Sequence, residues 1–67
     1  MITEIGIVAG EIWHQLENNK GPDSLENILG KIDKSRDTVL MSIGWLAREG
    51  HVVIEGEAPD YRVTLRK

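Results

Sequence analysis

Residues 34–56, KSRDTVLMSIGWLAREGHVVIEG, decide the fold. Val39, Ile43 and Leu46 recur at three- and four-residue spacing, as on one face of a helix, with Leu40 and Ala47 widening that face on one shoulder. Ser35 stands where a side-chain oxygen caps a helix N-terminus. Gly50 follows the last periodic residue, the usual C-terminal stop. Beyond Gly50 the apolar period changes to two and β-branched residues dominate. The stretch predicts a helix over residues 35–49 that runs directly into a strand.

Upstream, TEIGIVAGEIWHQLENNKGP carries Ile5, Val8, Ala9, Ile12, Trp13 and Leu16 on a second helical stripe. Thr3 is its expected cap, Glu4 is favourable in its first turn, and Gly21-Pro22 stops it. This predicts a first helix over residues 3–19. Next, DSLENILGKID offers Leu25, Ile28, Leu29 and Ile32, and Asp23 with Glu26 has the spacing of a capping box. A short second helix ending near Lys31 is expected. Downstream, HVVIE and YRVTLRK read as strands joined by a turn at GEAPD. Tyr61, Val63 and Leu65 should share one strand face, and Arg62, Thr64 and Arg66 the other. A third short strand near residues 21–23 would complete the sheet.

The order helix, short helix, tight turn, helix, glycine, β-hairpin resembles a winged helix-turn-helix domain across nearly the whole chain. The residues that carry the likeness are Leu25, Ile28 and Leu29, then Ser35, Thr38, Val39, Ile43 and Leu46, and finally REGHV leading into the hairpin. More narrowly, the chain resembles the small stand-alone winged-helix proteins of bacteria and archaea whose function is unassigned. The resemblance implies an α+β fold in which residues 1–67 form one domain, the third helix is the recognition helix and the hairpin is the wing. It says less about function, because winged helices also mediate protein and RNA contacts.

With Val39, Ile43 and Leu46 inward, the outer side of the third helix holds Asp37, Met41, Gly44 and Arg48, with Trp45 at its edge. Base readout in a major groove prefers Arg, Lys, Asn, Gln, Ser or Thr. On this line only Arg48 qualifies, at the helix's far end, while Asp37 in the first turn would repel phosphate. Glu55, Glu57 and Asp60 make the wing turn acidic. Net charge is −3, opposite to the basic excess that drives most nucleic-acid binding. Against this stands a basic cluster, Lys31, Lys34 and Arg36, between the second and third helices, with Arg62, Arg66 and Lys67 on the last strand. These are either solvated surface or phosphate contacts.

Met41 and Trp45 lie one turn apart. Trp45 either folds down as core or joins Met41 in an exposed apolar patch, a composition enriched at protein interfaces. Gly6, Gly10 and Gly44 each fall inside a predicted helix, at roughly 1 kcal/mol apiece relative to alanine. Gly6 and Gly10 make a shallow strip beside Trp13. That strip serves either close packing within the chain or a contact of the first helix with a second chain, and Ile7 and His14 lean to the same outer side.

Size bears on the same question. A chain of 67 residues buries only about 60% of the surface it exposes when unfolded, so its stability is marginal. It has no cysteine, which excludes disulfides and thiolate metal sites, and His14 and His51 lack companion ligands. Association with a second chain is the remaining common source of stability. No apolar run approaches the roughly 20 residues of a membrane span, and the N-terminus lacks a signal-peptide pattern. The cytoplasm is the expected location.

Nothing in the sequence assembles a catalytic constellation. Ser24 and Ser35 read as helix-start residues, Ser42 has no evident base, and no glycine-rich phosphate loop follows a strand. So small a chain leaves little room for an enclosed substrate pocket. The sequence therefore reads as a non-catalytic domain with no cofactor, metal or small-molecule substrate. It is expected to act through protein contacts, self-association included, by Ile7, Gly10 and Trp13 or by Met41 and Trp45. The alternative is a DNA-binding regulator using Lys31, Lys34, Arg36, Arg48 and Arg62.

Overall fold

The computed structural model describes residues 2–19 and 21–66. Among these residues three helices and three strands follow in the order α1 (Ile2–Asn19), β1 (Asp23–Ser24), α2 (Leu25–Lys31), α3 (Arg36–Arg48), β2 (Val52–Glu55) and β3 (Arg62–Leu65). This is the expected α+β winged-helix arrangement. Lys67 lies outside the described residues.

The stripe on α1 buries Val8, Ala9, Ile12 and Leu16. These pack with Val39, Ile43 and Leu46 of α3 and with Leu25 and Ile28 of α2 in one core, closed on the sheet side by Val52 and Val63. The α1–α3 contact is the most extensive between elements. Two polar side chains of α3 are buried with it. Thr38 Oγ1 donates to Glu4 Oε1 of α1 at 3.5 Å, and Ser42 Oγ donates to its own helix at Thr38 O, 2.7 Å away. Small residues with their hydroxyls satisfied let the helices approach without stranding a polar atom.

Local chemistry sets the element ends. Thr3 does not cap α1: the helix already includes Ile2, so Thr3 lies within its first turn. At the other end Asn19 Nδ2 donates to Gly21 O and Pro22 O, each at 3.3 Å, and folds the chain back. The capping box expected at Asp23 and Glu26 is also corrected. Asp23 is extended and paired with Val63 of β3, so the cap moves one residue on. Ser24 Oγ accepts from Asn27 N at 3.0 Å, while Asp23 Oδ1 accepts from Ser24 N and Asn27 Nδ2. Asp23 thus ties β1 to the first turn of α2. Ser35 caps α3 as expected, accepting from Thr38 N at 3.2 Å.

The C-terminus of α3 is a Schellman motif. Gly50 N donates to Ala47 O at 3.1 Å and His51 N to Leu46 O at 2.9 Å, with Gly50 at φ 80°. The left-handed residue reverses the chain and launches β2 back along the core. The sheet is antiparallel in the order β1-β3-β2. Tyr61, Val63 and Leu65 share the inner face, as the alternation implied; the register adds Val52 and Ile54 to it, and Arg62 and Arg66 are exposed. The third strand falls at Asp23–Ser24, slightly later than expected.

Gly56 opens the wing turn at φ 93°, and a Cβ there would meet Asp60 O at 2.6 Å. Gly50 also has positive φ, but its surroundings are open. Gly50→Ala is therefore expected to lose roughly 1–2 kcal/mol, the cost of a left-handed L-residue. Gly56→Ala should lose more, because backbone must also shift. Urea denaturation of the two variants checks the order; equal losses would contradict it.

Candidate functional site

The outer side of α3 is built by the residues left over when Val39, Ile43 and Leu46 turn inward. Asp37, Met41, Gly44 and Arg48 are all exposed along it. Met41 is 42% and Trp45 46% exposed, so Trp45 is not a core residue. Its indole lies beside the His51 ring, with centroids 6.4 Å apart and planes tilted by 34°. That neighbour at the start of the wing leaves the ring largely uncovered.

Gly44 opens a gap between helix and wing. A Cβ added there would meet nothing within 4 Å. The space continues into an open apolar groove of about 310 Å³ lined by Leu25, Leu40, Gly44, Ile54 and Tyr61. Ile54, in register with Val63 on the inner face of the sheet, remains 39% exposed and lines this groove with Gly44. Sequence reading did not find this groove. Its signal was Gly44 at the point where α3 passes the second strand, and the strand register needed to see it is set only by the fold. Val53, on the other sheet face, is 40% exposed.

The candidates on α1 lie elsewhere. Since α1 and α3 pack through their apolar stripes, their solvent sides belong to different faces of the molecule. Ile7 is 60% exposed on α1. Gly6 and Gly10 have open space around them, so close packing within the chain does not account for them. Trp13 is half-buried and meets His14 edge-on at 5.5 Å. With Leu16 and Leu65 it lines a second open groove of about 320 Å³.

The basic candidates are dispersed among acids. Lys31, Lys34 and Arg36 are exposed at the α2–α3 turn, but Asp33 and Asp37 are exposed between and beside them. Arg62 stands opposite Glu55 in the strand register, and Arg48 is followed by exposed Glu49. Glu55, Glu57 and Asp60 are exposed around the wing turn.

Each serine has a local role: Ser24 and Ser35 cap helices and Ser42 bonds its own backbone. His14 approaches Glu17 at 3.8 Å on the surface of α1. Among the described residues, no three His, Cys, Asp or Glu side chains converge on a metal position, and no helix is long and apolar enough to cross a membrane. Asp23 Oδ2 is the one buried side-chain polar atom among them without a hydrogen-bond partner.

A family profile described as winged helix-turn-helix domain (DUF2582) matches residues 1–65. The uncharacterized protein MJ1608 of Methanocaldococcus jannaschii is 42% identical over 52 residues, covering 76% of this chain and 74% of its own. The solution structure of BT2368 from Bacteroides thetaiotaomicron superposes with a TM-score of 0.77 at 32% identity, covering 94% of this chain and 76% of that one. A chain from a study of the DNA recognition and protein interaction domains of HOP2 superposes at 0.78, covering 88% of this chain and 98% of that one. At 17% identity, it is a likeness of fold.

Two substitutions separate surface from core. Trp45→Ala should change stability by about 0.5 kcal/mol or less at dilute protein, whereas Ile43→Ala, two residues away on the buried side of the same helix, should cost about 2–5 kcal/mol. Gly10→Ala should raise stability by roughly 0.5–1 kcal/mol, since the added methyl meets nothing. Denaturant midpoints at micromolar protein give all three values.

Proposed function

The chain belongs to the winged helix-turn-helix (DUF2582) family, and on that premise we propose that it is a non-catalytic domain acting through protein contacts, self-association included. The observation that carries this reading is the exposed Met41–Trp45 pair on the outer side of α3. In a DNA reader this surface would need groove-compatible donors, and apart from Arg48 it offers an acid, a thioether, a glycine and an indole. Met and Trp instead favour desolvated contact with another protein. The acids of the wing turn argue against a backbone clamp on DNA. In this reading residues 1–67 work as one domain, and the compartment is the cytoplasm. The serines already engaged as caps and backbone donors support a role without chemistry.

The exposure of Lys31, Lys34 and Arg36 favours a second reading, in which the α2–α3 turn contacts phosphate, with Arg48 and Arg62 alongside. Asp33, Asp37 and Glu55 weaken it by neighbouring those cations.

The test is binding to labelled random-sequence duplex at physiological salt, beside sedimentation equilibrium at tens to hundreds of micromolar protein. The proposal expects weak DNA binding and a mass above the monomer. Submicromolar DNA affinity would overturn it. In that case Lys31, Lys34 and Arg36 should each reduce the log–log salt slope by about 1 when neutralised.

A further inference from the structure

The outer line of α3 is antisymmetric in charge. Met41 and Gly44 sit at its middle, with Asp37 four residues before Met41 and Arg48 four residues after Gly44. Along the helix axis the two charges are about 16 Å apart, at 1.5 Å per residue, and cannot reach each other. Among the described residues neither Asp37 nor Arg48 forms an ion pair. The spacing of the line, four, three and four residues, is that of a helix–helix seam.

We propose that α3 pairs antiparallel with α3 of a second copy of this chain about a two-fold axis beside the Met41–Gly44 midpoint, each Asp37 meeting the partner's Arg48. The proposal rests on the protein-contact reading and names the partner. Reversing a line with opposite charges at its ends brings unlike charges together at both ends. In parallel pairing Asp37 would meet its own copy, and so would Arg48. Each Met41 then lies level with the other copy's Gly44, where no side chain holds the backbones apart. Trp45 and Met41 supply apolar area on one side of the seam. Antiparallel pairing also sets each helix N-terminus against a C-terminus, which suits the helix dipoles. Exposed ion pairs add little affinity, so the charges fix orientation while the Met41–Trp45 surface holds the copies together.

The glycine strip of α1 is the weaker candidate for this contact. Its outer line, Thr3, Ile7, Gly10 and His14, has no opposite charges to set a direction.

Charge reversal with mixing tests the proposal by sedimentation equilibrium. Asp37→Arg alone sets like positive charges together twice, and Arg48→Asp alone sets like negative charges together twice. Each should weaken self-association at least about tenfold. An equimolar mixture of the two variants restores both unlike pairs in a heterodimer, so mass should return to that of the wild-type dimer. The double variant Asp37→Arg/Arg48→Asp should dimerise as wild type does. Both positions are exposed, and recovery on mixing separates lost pairing from lost folding. A wild-type monomer up to hundreds of micromolar overturns this proposal and the self-association it rests on. A wild-type dimer whose single variants dimerise undiminished, or whose mixture shows no recovery, overturns the α3 pairing alone and leaves self-association to another surface.

Discussion

The structure depends on the packing of α1 against α3. Val8, Ile12 and Leu16 come from one helix, Val39, Ile43 and Leu46 from the other, and all are essentially out of solvent. Each such side chain contributes on the order of 1.5–3 kcal/mol when taken from water, so this contact supplies much of the hydrophobic stabilisation available to so small a domain. It also dictates the polar details. Where α3 faces α1 it carries Thr38 and Ser42, small enough for close approach, with hydroxyls satisfied by Glu4 and by the helix itself. Larger side chains there would separate the helices, and unsatisfied ones would cost the gain from burial.

Everything C-terminal to α3 is positioned from its end. The Gly50 reversal sends β2 back across the core, and β2 pairs with β3, which in turn holds β1. The central strand therefore links both ends of the helix-turn-helix. Leu25 N donates to Tyr61 O at 2.9 Å, so even the start of α2 is tied to the approach to β3. Val63, fully buried, sits in the middle of this sheet and joins it to the helical core.

The fold was legible in the sequence because its signals were local and mutually consistent. The periodic triplet Val39, Ile43 and Leu46, the Ser35 cap and the Gly50 stop bound α3 without any knowledge of its neighbours. At Asp23 long-range pairing overrode local chemistry. Asp23 has the spacing of a capping residue, but pairing with Val63 drew it into the sheet and passed the cap to Ser24. The candidate site was legible only in part. A helical wheel assigns Met41 and Trp45 to the outside or the edge, but whether Trp45 folds under the wing depends on where the wing lies. The groove beside Gly44 needed the register of Ile54 against Val63, which no local pattern encodes.

The glycines bear on why this surface is shaped as it is. At Gly6, Gly10 and Gly44 an alanine would fit the isolated chain, since an added Cβ meets nothing at any of them. Each glycine therefore gives up roughly 1 kcal/mol of helix stability for which the monomer shows no packing gain. At Gly56 the account is different: positive φ and the nearness of Asp60 O leave no room for a side chain. The fold requires glycine at the wing and does not require it on the helices. What the helical glycines provide is close access to the backbone from outside, next to Ile7 on α1 and next to Met41 on α3. A second chain filling that access would bury exposed apolar surface, and binding to the folded form alone would raise its stability with concentration. The features that weaken the isolated domain are thus the ones from which an associated form would gain.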